Sequence, residues 1–157
     1  MISLMDERVK HITTELRPPL LDELGLCVAV KLRMHEFTKM TGTLHELHCD
    51  PEDFTLDTDI AIALFRVLQE SLTNITRHSE ADMVTVQLRK LQDCVSLQIK
   101  DNGKGIQKRE LANKKSIGII GMRERVAFFA GTIRITSPSG GGTVIDVKIP
   151  LGQDVTP

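Results

Sequence analysis

Leu64-Phe-Arg-Val-Leu-Gln-Glu-Ser-Leu-Thr-Asn-Ile-Thr-Arg-His78 is the stretch on which the fold of this chain turns. At about 100° per residue, Ile60, Leu64, Leu68, Leu72 and Ile75 fall on one side, the spacing of a helix that buries one face in a core. Glu70, Asn74 and Arg77 then project within roughly 60° of one another, beside the apolar stripe rather than opposite it. A carboxylate, an amide and a guanidinium on one ridge suit a divalent metal and a polyphosphate. Taken alone, the same three side chains serve equally well as a solvated helix face. Their neighbours decide.

Towards the N-terminus, Ile2, Met5, Val9, Ile12 and Leu16 step by 3, 4, 3 and 4, the seam of a helix in a bundle or coiled coil. Only about two heptads are present, too few for a self-sufficient coiled coil. Residues 1–20 therefore read as the stub of a bundle helix and its joint, ended by Pro18-Pro19, and residues 21–157 as the globular domain. A helix is predicted from about Asp22 to Met40, burying Leu26, Val30, Met34 and Phe37 and ended by Gly42. Thr43 to Cys49 reads as a strand whose buried face the pattern leaves open. Asp57 or Thr58 can cap the central helix, which begins near Asp59.

Towards the C-terminus, Val84, Val86 and Leu88, then Val95, Leu97 and Ile99, alternate with polar residues and predict an antiparallel hairpin through Leu91-Gln-Asp93. Gln107 to Lys115 lacks apolar period and reads as a mobile loop. Ser116 is placed to cap a short helix running to about Ala130, ended by Gly131. Thr132 to Thr136 and Thr143 to Ile149 form a second hairpin around Ser137 to Gly142, and Val155 to Pro157 a frayed tail. This order predicts an α/β two-layer sandwich, a mixed, mostly antiparallel sheet with helices on one face.

The whole chain narrows the function classes. At 157 residues it is one domain of ordinary size, and its net charge of −1 gives no pull towards nucleic acid or anionic membrane. It has no Trp or Tyr for stacking bases. No apolar run approaches the ~20 residues of a membrane span, and the mixed charges of Met1 to Leu16 do not read as a secretory signal. Three cysteines without metal-ligand pairing fit reduced cytosolic thiols. The expectation is a soluble intracellular domain.

Asp101-Asn-Gly-Lys-Gly105 follows a strand, the position of the common phosphate loops. A Rossmann fingerprint needs glycine where Lys108 stands, and a Walker loop needs Ser or Thr where Gly105 stands. Both fail. A carboxylate at a strand end remains, able to accept from an exocyclic amine such as that of adenine, with glycines that let backbone approach a ligand. An Asx turn closing a strand is the simpler use of the same residues. Gly118-Ile-Ile-Gly121-Met-Arg-Glu-Arg125 puts two glycines at a helix start, where free amides and the dipole favour an anion; a packed helix with a flexible entrance is the alternative. Ser139 to Thr143 is a hairpin turn from which Thr143 could face a ligand. His45-Glu-Leu-His48 fails as a zinc motif, its histidines three apart on a strand and facing opposite ways.

Together these blocks are recognisable. Glu70-x-x-x-Asn74-x-x-Arg77-His78, Asp101-x-Gly103-x-Gly105, Gly118-x-x-Gly121-Met-x-Glu-Arg125 and Gly141-Gly-Thr143 resemble the ATP-binding catalytic domain of two-component sensor histidine kinases. These domains share a Bergerat-type ATP-binding fold with gyrase, the Hsp90 chaperones and the MutL repair proteins. The Gly-Met-Arg-Glu-Arg ending and the Leu16-Arg-Pro-Pro19 entry look most like the nitrate/nitrite-sensor class. The resemblance covers nearly the whole chain, and it implies that ATP and Mg²⁺ are bound. Asn74 would ligate the Mg²⁺, Glu70 would polarise the attacking group or its water, and Asp101 would hold the adenine amino group. Gly103 and Gly105 would let the ring seat closely, with Thr143 near it. Gly118 would hinge a lid of residues 107–117. Gly121 would approach the phosphates, with Arg77 and His78 as their neighbours.

The function expected from the resemblance is donation of the γ-phosphate to a histidine, for relay to a response-regulator aspartate. That histidine would lie on a dimerising bundle of the same parent chain or of a dimer mate. His11 is not assigned as the acceptor, because it is followed by Ile12 rather than an acid and falls off the apolar seam. The parent could be membrane-linked, and no nucleic-acid partner is expected. Two alternatives remain: a serine kinase of the anti-sigma-factor type, disfavoured by the bundle stub, and a nucleotide-holding module without turnover, disfavoured by Glu70 and Asn74.

Overall fold

The computed structural model describes residues 19–106 and 117–152. Alternating apolar residues build five strands: β1 (Leu44–Asp50), β2 (Met83–Lys90), β3 (Cys94–Asp101), β4 (Thr132–Thr136) and β5 (Thr143–Pro150). They form one sheet in the order β1-β2-β3-β5-β4, with β1 parallel to β2 and every other pairing antiparallel. Val84, Val86 and Leu88 of β2, Val95, Leu97 and Ile99 of β3 and Ile145, Val147 and Ile149 of β5 share one buried cluster with the helices. Gln98 and Asp146 pair at 2.8 Å on the opposite, more polar side. Period-2 patterning thus yields the predicted mixed, two-layer sandwich with its helices on one face. On β1 the side left open by the sequence is settled: His45, Leu47 and Cys49 are half-buried, and Leu44, Glu46, His48 and Asp50 are exposed.

Among the described residues three helices cover the sheet: α1 (Pro19–Thr41), α2 (Thr58–Asn74) and α3 (Ile117–Phe128). The first begins at Pro19, three residues before the predicted Asp22, and proline is well tolerated at the first position of a helix. It is interrupted at Gly25 (φ 83°, ψ 171°), beyond which Leu26, Val30, Met34 and Phe37 are buried as their spacing implies. Asp57 caps α2, its carboxylate accepting from the Asp59 amide at 2.9 Å. Between α1 and β1 the Cys27 and Cys49 side chains meet. Burial above all, then this contact, pushes the Cys27 thiol up to about 12, so it packs as a neutral apolar group. No helix among the described residues is long and apolar enough to cross a membrane.

One expectation about the central helix is corrected. The α-helix ends at Asn74, and Ile75–Ser79 form a π-turn closed by Glu80 in the left-handed region (φ 53°). Arg77 and His78 therefore sit on widened backbone, where the 100° step that put Arg77 on the ridge of Glu70 and Asn74 no longer holds. The Ile2–Leu16 seam, His11, the loop and lid expected over 107–116, the Ser116 cap and the Val155–Pro157 tail lie outside the described residues.

Candidate functional site

A cleft of about 440 Å³ opens between the C-terminal half of α2, the π-turn, the start of α3 and the ends of β3 and β5. That volume suits a small organic ligand. Glu70, Asn74, Arg77, His78, Asp101, Gly105, Gly118 and Thr143 all line it, so eight residues singled out in the sequence share one cavity. Ile99, Ile119, Met122, Ile135 and Ile145 contribute to its apolar wall.

Asp101 is the buried charge of the site, 4% exposed at the end of β3. Sheet register puts it between Val84 and Thr143, which are apolar and small neighbours respectively. Burial pushes its carboxyl above the ordinary carboxylate range, against hydrogen bonds donated by the Gly103 and Thr143 amides. The Gly103 amide donates to Oδ1 at 2.8 Å. The result is a fixed, poorly solvated acceptor at the edge of a cavity. Such a group recognises a ligand N–H more strongly than a solvated carboxylate can.

The glycine turn after Asp101 is held from three sides. The Lys104 amide donates to the Ser79 carbonyl at 2.7 Å, and the Gly142 amide donates to the Gly103 carbonyl at 2.8 Å. The Asn102 side chain accepts from the Asp82 and Met83 amides at 3.0 and 3.1 Å and donates to the Asp82 carboxylate. A β-carbon at position 103 would overlap the Ser79 carbonyl, so glycine is required there by close approach. Gly103 is consequently a spacer behind the cleft and not one of its lining residues. Lys104 Nζ adds an ion pair with Glu80 at 3.1 Å.

On the opposite wall, Gly118 lies directly against Glu70. A methyl at position 118 would overlap the Glu70 carboxylate. Gly121 is placed elsewhere: it borders a separate hollow with Asp59, Ile62, Phe128 and Phe129. As the fifth residue of α3 its amide is committed within the helix, so it is a turn too late to offer an anion a free N–H. The sequence pattern gave no sign of Ser79 or Asn102, whose partners here lie about 20 residues or more away along the chain, nor of Ser137, whose hydroxyl donates to the nearby Gly142 carbonyl at 2.8 Å. His45 and His48 fall on opposite faces of β1, as expected.

Glu70 and Asn74 supply hard oxygen donors one helical turn apart in the same cleft. Among the described residues no three of His, Cys, Asp and Glu gather into a metal cluster. Few protein oxygens, with space for water and phosphate, is a donor set that fits Mg²⁺.

Comparison with known proteins identifies the family of the fold. Residues 59–153 match the family described as histidine kinase-, DNA gyrase B- and HSP90-like ATPase. The chain is 39% identical over 140 residues to the signal transduction histidine-protein kinase/phosphatase DegS of Bacillus subtilis, covering 86% of this chain and 36% of that protein. It is 30% identical over 151 residues to the oxygen sensor histidine kinase NreB of Staphylococcus carnosus, covering 96% and 43%. It thus spans well under half the length of these relatives. In structure, the histidine kinase domain of a blue-light activated histidine kinase from Erythrobacter litoralis superposes with a TM-score of 0.66 at 22% identity, covering 82% of this chain and 62% of that one, which shows the shared fold. The chain belongs to the histidine kinase-, DNA gyrase B- and HSP90-like ATPase family, as an ATP-binding domain of the histidine kinase kind.

Proposed function

We propose that the cleft binds Mg-ATP and presents its γ-phosphate to a histidine imidazole on a dimerising bundle, for relay to a response-regulator aspartate. Residues 21–157 are the nucleotide-binding unit in this reading, and residues 1–20 lead from the bundle. The observation that carries it is the buried Asp101 carboxylate in the same cavity as Glu70, Asn74, Arg77 and His78. Asp101 accepts from the adenine amino group, and the isoleucine wall with Met122 holds the ring. Thr143 borders the purine, with Gly105 leaving room for it. Arg77 and His78 neighbour the phosphates.

Asn74 holds Mg²⁺ through its amide oxygen, with Glu70 beside it. Bound there, Mg²⁺ neutralises charge on the phosphate oxygens. Glu70 polarises the attacking imidazole or its water. A bond forms from imidazole nitrogen to the γ-phosphorus as the bond to the bridging oxygen breaks, releasing ADP. Little else is required, because phosphoryl transfer depends mainly on positioning and charge stabilisation. Gly121, outside the cleft, keeps no phosphate role. The test is calorimetric titration with Mg-ATP: Asn74→Ala should abolish binding while leaving thermal unfolding cooperative. Unchanged affinity in that variant would remove the metal assignment.

A further inference from the structure

Outside the nucleotide cleft, two histidines meet where α1 crosses the edge strand β1. The His35 and His45 rings lie edge to face, 5.3 Å between centroids and 85° between planes. His35 is exposed and His45 half-buried. No residue of α1 or β1 lines the cleft, so this pair is separate from the site described above.

The hydrogen bonds of Thr38 fix the state of His45. Thr38 Oγ1 lies 2.7 Å from the Thr43 carbonyl and 2.6 Å from His45 Nδ1. A carbonyl cannot donate, so the single hydroxyl proton goes to Thr43 and His45 Nδ1–H must donate to Oγ1. Neutral His45 then carries its lone pair on Nε2, which has no hydrogen-bond partner among the described residues. A metal-ligating histidine is usually oriented in this way, by donating its second N–H to a fixed oxygen. In the edge-to-face arrangement the two in-plane lone pairs do not yet converge; the exposed His35 ring has to turn for both to meet one tetrahedral ion, on which two imidazoles, with Zn–N near 2.0 Å, have centroids roughly 5 Å apart.

We propose that His35 and His45 form a two-imidazole site for a borderline divalent metal such as zinc, nickel or copper, clamping α1 to β1. Thr38 is its positioning residue. No third His, Cys, Asp or Glu completes a cluster among the described residues, so water fills the remaining coordination positions. The clamp ties the C-terminal half of α1 to a strand that is paired on one edge only.

Calorimetric titration of zinc chloride into the 157-residue chain tests the site, with thermal unfolding followed at each zinc concentration. The expected result is one zinc per chain and a Tm that rises with zinc, since the ion binds the folded state. His35→Ala and His45→Ala should each weaken binding at least about tenfold, and Thr38→Val by about tenfold. His48→Ala, on the opposite face of β1, and Asn74→Ala, in the cleft, should bind zinc as the parent does. His35 is exposed, so His35→Ala tests the proposal even if His45→Ala fails to fold. Zinc affinity unchanged in His35→Ala, or no binding at about 0.1 mM zinc, overturns the site. Because Asn74→Ala separates the two ligands, failure here leaves the nucleotide reading intact, and the reverse also holds.

Discussion

At the residue scale, Asp101 and Gly118 make the sharpest claims. Asp101→Asn removes the charge that the adenine amino group is proposed to meet and turns an amide donor towards existing N–H groups. ATP affinity should fall by about 1.5–3 kcal/mol, at least tenfold in Kd, and preference over GTP should vanish. Calorimetry with both nucleotides on parent and variant decides this; a parent protein indifferent between ATP and GTP would end the assignment. The pH dependence has a definite sign. Burial raises the folded pKa of Asp101, so the folded protein takes up a proton as pH falls through that raised value. Apoprotein stability from this group therefore increases towards acid across the window between the folded and unfolded values, and its ionised form costs stability above it. Nucleotide needs the ionised form, so ATP affinity should decline as pH falls through the same window. Gly118→Ala is a steric test. Helix propensity favours alanine by roughly 1 kcal/mol, so any loss comes from the overlap with Glu70. Phosphoryl transfer to a bundle supplied in trans should drop about a hundredfold or more with Mg-ATP affinity nearly unchanged. Glu70→Asp in the same chain, shorter by one methylene, should recover part of the rate; no recovery means that the contact is incidental.

At the scale of elements, the junction of α2 with the π-turn is what assembles the site. Leu64, Leu68 and Leu72 bury fully at helical spacing, and this anchors Glu70 and Asn74 on the flank facing the cleft. The following turn widens just where Arg77 and His78 must reach round it. Asp57 starts the helix, so Asp57→Ala should cost about 1 kcal/mol and lower Tm by roughly 2–4 °C. An unchanged melting curve would show that the cap contributes nothing. Most of these elements were legible in the sequence, since period 2 and period 3.6 are written in side-chain polarity: the β2–β3 hairpin and the buried face of α1 needed no tertiary information. The π-turn was not legible, because Ile75 continues the apolar period across it. Nor was the buried face of β1, where Leu44 and Leu47 sit on opposite sides and the choice is made by packing on α1. In the site, the acid and amide positions could be read off, whereas the displacement of Gly121 depends on where α3 begins.

At the scale of the whole molecule, sheet order explains why residues more than 70 positions apart in sequence share one cleft. β5 inserts between β3 and β4, which brings Thr143 beside Asp101 and leaves α3 to close the wall opposite α2. Among the described residues the cleft holds Glu70, Asn74 and Asp101 with one histidine, His78, proposed above as a phosphate neighbour, while His35 and His45 lie with α1 and β1. In the proposed reading the domain binds and orients nucleotide, and the imidazole is delivered from elsewhere. Incubated alone with γ-labelled ATP and Mg²⁺, this chain should therefore remain essentially unlabelled, and a bundle carrying an acceptor histidine should take up label that acid removes and alkali does not. Acid-stable label on an added partner would point to the serine-kinase alternative. Acid-labile label on His11 would show that the acceptor is carried by this chain, and the division of labour between domain and bundle would have to be redrawn.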